Sequence, residues 1–174
     1  MSLAEIKNSI RNIPDYPKPG IQFKDITTAM KNPRVFAEII ETMAAHFKNK
    51  KIDYIVGIEA RGFIFGAALA YKLGCGFVPV RKPGKLPAET IAEEYELEYG
   101  TDKLEIHKDA LKKGDNIVIV DDLIAIGGTA AAAANLVKRL GADIAAFAFV
   151  IELEALKGTA KLRDIAEVYS LVRF

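Results

Sequence analysis

The chain has 174 residues, 51% of them hydrophobic, and a formal net charge of +1. That length suits one domain with its own core, and the balance excludes a disordered chain and a general polyanion binder, so nucleic acid is not an expected partner. A single cysteine, Cys75, excludes an intrachain disulfide and a cysteine-based metal cluster, and no run approaches the ~18 apolar residues of a membrane span, so a cytoplasmic protein is expected.

The first ten residues read as a short amphipathic helix with Leu3, Ile6 and Ile10 on one side. Pro14, Pro17, Pro19 and Gly20 then break the chain into an extended segment. Asn32-Pro33 supplies an N-cap and a first-turn proline for a helix whose apolar face is Val35, Phe36, Ile39, Ile40, Met43 and Phe47. A buried strand is expected over Tyr54–Ile58, a small-residue helix over Gly62–Leu73 closed by Gly74, and a second strand over Gly76–Val80. Residues 81–91 hold Pro83, Gly84 and Pro87 and read as a loop. Alternation through Tyr95, Leu97 and Tyr99, a turn at Gly100, and alternation again at Leu104 and Ile106 predict a β-hairpin. A core strand over Asn116–Val120, a helix over Thr129–Leu140 ended by Gly141, a strand over Ile144–Ile151, a helix over Glu154–Leu162 and a last strand over Glu167–Val172 complete the chain.

Strands alternating with helices predict an α/β fold with a parallel twisted sheet flanked by helices, the hairpin being an insertion. Ligands of such sheets bind beyond the carboxyl ends of the strands. Three charged or glycine-bearing segments follow strands: Glu59-Ala60-Arg61-Gly62, Arg81-Lys82, and the run Val118 to Thr129.

The last is the most informative. A buried strand runs into Asp121-Asp122, a small loop with Gly127-Gly128 follows, and an alanine-rich helix begins. Backbone N–H groups of such a loop and the positive end of the helix seat a phosphate, and two carboxylates beside it can accept hydrogen bonds from a vicinal diol. Phosphate plus diol points to a ribose 5-phosphate. Arg61, Arg81, Lys82 and Lys85 carry more positive charge than one phosphate needs, which suits a second polyanion such as pyrophosphate. Glu89, Glu93, Glu94, Glu96 and Glu98 read mostly as a solvated strand face, and residues 84–100 as a lid bounded by glycines. Cys75, His46 and His107 read as structural. No Gly-x-Gly-x-x-Gly opens a helix after the first strand, which excludes a dinucleotide site.

The Val118–Thr129 string resembles the phosphoribosyl-pyrophosphate (PRPP) motif of type I phosphoribosyltransferases. The resemblance extends further: Ile13 to Gly20, Phe23 to Thr27, Glu59 to Phe63, Val80 to Pro87 and Leu97 to Gly100 look like the adenine phosphoribosyltransferase family over nearly the whole chain. It implies one domain over residues 1–174 with the type I fold, an N-terminal hood at about 1–30 and a flexible hairpin lid at about 84–107. It implies adenine and PRPP as substrates, AMP and pyrophosphate as products, Mg²⁺ carried mainly by PRPP and pyrophosphate with no protein metal ligand assigned, and a homodimer. By the same resemblance Asp121 and Asp122 hold the ribose hydroxyls, and Ala125, Ile126, Gly127, Gly128 and Thr129 the 5-phosphate. Arg61, Arg81, Lys82 and Lys85 hold pyrophosphate, and a cis peptide is expected at Glu59–Ala60. Phe23 stacks on adenine while Gln22 and Lys24 flank it. Glu98 acts near the purine as acid, base or cation stabiliser, and Tyr99 orders the lid.

Three positions depart from the family pattern. Ile126 stands where the family has threonine, removing a hydroxyl contact to the phosphate and implying weaker PRPP binding rather than a lost site. Gln22 and Lys24 replace an aliphatic residue and an arginine, which is tolerable if the base is read by backbone groups. Two competing readings are a phosphoribosyltransferase for a 6-oxopurine or orotate, and a PRPP-sensing regulator without turnover. The Phe23 segment and Leu97-Glu98-Tyr99 favour adenine over the first. The lack of an added DNA-binding domain or basic face disfavours the second.

Overall fold

In the computed structural model, which describes residues 1–97 and 100–174, the chain opens with helix α1 (Leu3–Ser9). Ser2 and Glu5 form a reciprocal capping box at its start, satisfying two of the free N–H groups. Ile6 and Ile10 are buried as the periodicity predicts, but Leu3 is exposed. The proline-rich segment is an antiparallel ribbon rather than a single extended run: β1 (Arg11–Pro14) pairs with β2 (Gln22–Asp25), from Arg11 opposite Asp25 to Pro14 opposite Gln22. Gly20 at φ +88° makes the connecting turn, its N–H donating to Asp15 Oδ1 at 2.7 Å. A short helix α2 (Thr27–Lys31), unsignalled by periodicity, follows, and Asp25 orders its start by accepting from the Thr27 N–H and hydroxyl at 2.9 and 2.6 Å.

Helix α3 (Pro33–Phe47) starts at the expected cap, with Asn32 Oδ1 accepting from the N–H groups of Arg34 and Val35. Then come β3 (Tyr54–Ile58), α4 (Arg61–Leu73) with Gly74 left-handed at its end, and β4 (Gly76–Val80). The hairpin is β5 (Thr90–Glu96) and β6 (Thr101–His107). The remainder is β7 (Asn116–Ile124), α5 (Gly128–Arg139), β8 (Asp143–Glu152), a 3₁₀ turn (Glu154–Leu156), α6 (Ala160–Arg163) and β9 (Glu167–Arg173).

Five strands form one parallel sheet in the order β4-β3-β7-β8-β9. Strand side chains alternate between faces, so the sheet divides the core in two. Val118 and Val120 face a cluster with Ile6, Ile39, Met43, Phe65 and Leu69 from α1, α3 and α4. Ile117 and Ile119 face Ala133, Leu136 and Val137 of α5, together with Tyr95, Leu104 and Ile106 of the hairpin.

Three further expectations are corrected. β7 runs through both aspartates to Ile124 instead of stopping at Val120, because Leu123 and Ile124 stay in register with β8. The segment from Glu154 to Leu162 is two short turns, not one helix, because Lys157 takes a left-handed conformation at φ +52°. The hairpin starts at Thr90, inside the expected loop, and Glu93 lies on its inner face, donated to by Asn135 and Arg139 of α5.

The N-terminal β1–β2 ribbon has an acid-sensitive tie. The Thr27 hydroxyl, with the Arg11 guanidinium and the Thr27 N–H, lowers the pKa of Asp25 from an ordinary 3.8 to about 2. Folding therefore favours the carboxylate, and its contribution is present above the unfolded value of about 3.9 and is lost as pH falls through about 2. Asp25→Asn should flatten the fall in urea midpoint between about pH 4 and about pH 2 relative to the parent chain. Identical slopes in the two proteins would contradict this role.

Candidate active site

The chain passes from β3 outward to β4, then returns to place β7 on the other side of β3. That reversal opens a crevice beyond the carboxyl ends of β3 and β7, where sheets of this kind bind ligands. Arg61 follows β3 there, and the Asp121–Thr129 run ends β7 there.

The loop from Ala125 to Thr129 lines a pocket of about 210 Å³ together with Asp121 and Phe149. Gly127 is left-handed at φ +81° and begins α5 without any side-chain cap. The first N–H groups of a helix have no partner within it, so those of Gly128, Thr129 and Ala130 are available to an anion. Backbone packs directly against this loop from below. A Cβ on Gly127 would overlap the Gly158 carbonyl, and one on Gly158 would overlap the Ala125 carbonyl and approach the Ile126 carbonyl carbon to 2.8 Å. Ile126 points outward, 51% exposed, at the mouth of the pocket.

Asp121 and Asp122 make different contacts at the end of β7. Asp122, buried, accepts from Arg61 Nε at the start of α4, and Asp121 lines the loop pocket. Burial, reinforced by the adjacent Asp122, pushes the Asp121 carboxyl well above the usual carboxylate range. Gly62 permits this approach, since a Cβ there would lie 2.8 Å from the Val120 carbonyl oxygen and 3.0 Å from Asp121 Oδ1.

Two of the other expected cations are also paired. Glu59 takes Arg81 through Nε and Nη2 at 3.3 and 3.1 Å and accepts the Lys82 N–H at 2.8 Å, and the Arg81 contact holds its carboxyl below the ordinary range. The Glu59–Ala60 peptide is cis, as expected. Lys82 Nζ donates to Tyr95 Oη at 2.7 Å and to Asp102. Lys85 is exposed, its carbonyl 3.5 Å from Arg81 Nη1. The excess of positive charge read from the sequence is therefore offset at three of the four cations, by Glu59, Asp102 and Asp122.

In the N-terminal ribbon, Gln22 and Lys24 lie on the face opposite Phe23. Their side chains meet at Asn12, which donates to Gln22 Oε1 at 2.6 Å and accepts from Lys24 Nζ at 2.9 Å, and the Lys24 ammonium sits 4.3 Å from the Phe174 ring centroid. Phe23 stands edge-on to Tyr16 with centroids 5.3 Å apart. Glu98 and Tyr99 lie outside the described residues. His46 stacks on Tyr169 and contacts Glu167 at 2.6 Å, and His107 Nε2 accepts the Ala88 N–H, so both make structural contacts. Burial pushes the half-buried Cys75 thiol up, away from nucleophilic use.

Residues 26–172 match the phosphoribosyl transferase domain family. An adenine phosphoribosyltransferase of Thermoanaerobacter sp. (strain X514) is 57% identical over all of both chains. The crystal structure of adenine phosphoribosyltransferase from Thermoanaerobacter pseudethanolicus superposes with a TM-score of 0.95 at 57% identity, covering 99% of this chain and all of that one. The chain belongs to the adenine phosphoribosyltransferases. The Saccharomyces cerevisiae member, complexed with D-2,5-dideoxy-2,5-imino-altritol 1,6-bisphosphate and adenine, is 48% identical with a TM-score of 0.93 and 98% coverage of each chain.

Four residues of this adenine phosphoribosyltransferase site escaped sequence reasoning as contacts. Gly158 is 31 positions beyond Gly127 and carries no local motif. Glu59 was visible only as part of a charged segment. Asp102 and Tyr95 were within reach: a turn closing at Gly100 sets Tyr95 opposite Asp102, and cross-strand partners share a face. The Gly158 packing is testable. Gly158→Ala should cost about 1–3 kcal/mol of stability through overpacking against the loop carbonyls, read as a lowered urea midpoint. An unchanged midpoint would show that the loop yields freely.

Proposed function

We propose that the chain salvages adenine: it transfers the 5-phosphoribosyl group of PRPP to adenine, giving AMP and pyrophosphate. The observation that carries this reading is the backbone nest of Ala125–Thr129 set beside Asp121 and Asp122 at the sheet's switch point. The nest takes the 5-phosphate through its free N–H groups and the α5 dipole. Asp121 and Asp122 accept from the ribose hydroxyls, and Arg61, which bridges to Asp122, links that end of the ligand to the pyrophosphate side. Arg81, Lys82 and Lys85 take the leaving pyrophosphate, and the charge they supply favours a transition state with cationic ribose and departing anion.

Phe23 stacks on adenine. Gln22 and Lys24 are engaged with Asn12 on the other face of the ribbon, so the base is read there by backbone groups and the two departures from the family pattern leave the pocket unaltered. Glu98 exchanges or stabilises charge at the purine, Tyr99 orders the lid, and the hairpin over residues 84–107 excludes water from the reacting centre. Among the described residues no cluster of three or more acidic, histidine or cysteine side chains could hold a metal. Mg²⁺ would be held by PRPP oxygens and water, where it would supply charge neutralisation of pyrophosphate. A homodimer in the cytoplasm belongs to the same reading; among the described residues no helix is long and apolar enough to cross a membrane. Sedimentation at micromolar concentration should give a dimer, and a monomer alone would remove that part.

Separate assays of adenine, hypoxanthine, guanine and orotate with PRPP and Mg²⁺ test the reaction. AMP formation from adenine alone is expected. Turnover of another base instead, or PRPP binding without turnover of any base, would overturn the assignment. Ile126→Thr should restore a hydroxyl contact of about 1.5–3 kcal/mol to a charged group, lowering KM for PRPP roughly tenfold or more and leaving KM for adenine nearly unchanged. An unchanged or raised KM for PRPP would show that position 126 does not limit phosphate binding.

A further inference from the structure

Lys82 is an expected pyrophosphate ligand whose side chain is held by the hairpin. Its ammonium donates to both Tyr95 Oη and Asp102 Oδ2, and sits 5.3 Å from the Tyr95 ring centroid. Tyr95 and Asp102 are cross-strand partners in the β5–β6 register, and the Tyr95 hydroxyl itself donates to Asp102 at 3.2 Å. The three groups form a closed polar triangle around one charge. Tyr95 has a second neighbour: it is buried, and its ring edge lies 3.8 Å from where a Cβ of Gly128 would stand, at the start of α5. The triangle therefore sits between the loop after β4 and the phosphate nest.

The backbone of this region is fixed independently. Arg81 and Glu105 exchange N–H···O bonds at 3.0 and 2.7 Å, Glu59 accepts the Lys82 N–H, and Arg139 donates to the Ala92 carbonyl. Lys82 can thus change partner by turning its four-carbon stem while its backbone and the hairpin base stay in place. A single carboxylate and a pyrophosphate compete for the same ammonium, and the polyanion carries the larger charge.

We propose that Asp102 is a positioning residue for the pyrophosphate cation: with Tyr95 it holds Lys82 against the hairpin as a counter-ion that pyrophosphate displaces on binding. This rests on the reading of Lys82 as a pyrophosphate ligand. Asp102 sets the affinity for pyrophosphate by competition, and returns Lys82 to the hairpin when the product leaves. Burial works against the Lys82 charge, and the two hydrogen bonds outweigh it, which matches a stored rather than an idle cation.

Calorimetric titration of Mg²⁺-pyrophosphate into the parent chain, Asp102→Asn, Lys82→Ala and the double variant tests this, with thermal unfolding as a check that each is folded. Asp102→Asn keeps the side chain's size and removes its charge, so pyrophosphate should bind about three- to tenfold tighter. Lys82→Ala should weaken binding, and adding Asp102→Asn to it should change nothing further, because the effect passes through Lys82 alone. Tyr95→Phe, which keeps the ring on Gly128, should shift affinity in the same direction as Asp102→Asn by a smaller factor. Unchanged or weaker binding in Asp102→Asn, or an effect that persists without Lys82, would overturn the inference while leaving Lys82 as a ligand. Unchanged binding in Lys82→Ala would overturn the ligand reading itself, and the inference with it.

Discussion

Backbone meets backbone at the carboxyl end of β7, with no side chain between. Gly62 lets α4 begin against Val120 and Asp121, and Gly158 lies under Ala125 and Ile126 with Gly127 above it. These contacts hold the backbone of Ala125, Ile126 and Gly127 tightly against Gly158. Preorganised donors cost nothing to orient when charge is placed among them. The same approach brings Arg61, the first residue of α4, to Asp122. The positions of both the loop and the aspartate pair follow from close backbone packing at Gly62, Gly127 and Gly158.

Charge is balanced around that frame before binding. Arg61, Arg81 and Lys82 pair with Asp122, Glu59 and Asp102 respectively. Such pairs hold cations in place without leaving a large uncompensated field. On the proposed reading, a ligand with two phosphate centres exchanges partners with these carboxylates rather than filling a bare positive pocket. The three carboxylates differ in how they are held: Asp122 is buried, Glu59 also secures the Lys82 backbone, and Asp102 sits half-exposed on the hairpin. Asp102 is thus the one that can release its cation with least disturbance to the fold.

The fold was legible where one local pattern decides one element. Asn32-Pro33 marks a helix start, Gly74 its neighbour's end, and the apolar runs at 54–58 and 76–80 have the right length and flanks for buried strands. It failed where tertiary contact overrides pattern. β7 continues through two aspartates because β8 supplies its hydrogen bonds, and residues 154–162 break at Lys157 because its left-handed turn brings Gly158 under the nest. In the site, the nest, the acid pair and the cations were legible because their residue types are chemically specific. Their partners were not, since Glu59, Asp102 and Gly158 are ordinary residues given meaning by distance.

A crystal structure of the chain with AMP bound tests the central claim most directly. The account predicts the phosphate on the N–H groups of residues 125–129 above Gly158, the ribose hydroxyls at Asp121 and Asp122, and the adenine ring on Phe23. A phosphate seated elsewhere, with the nest empty beside an occupied base pocket, would contradict it.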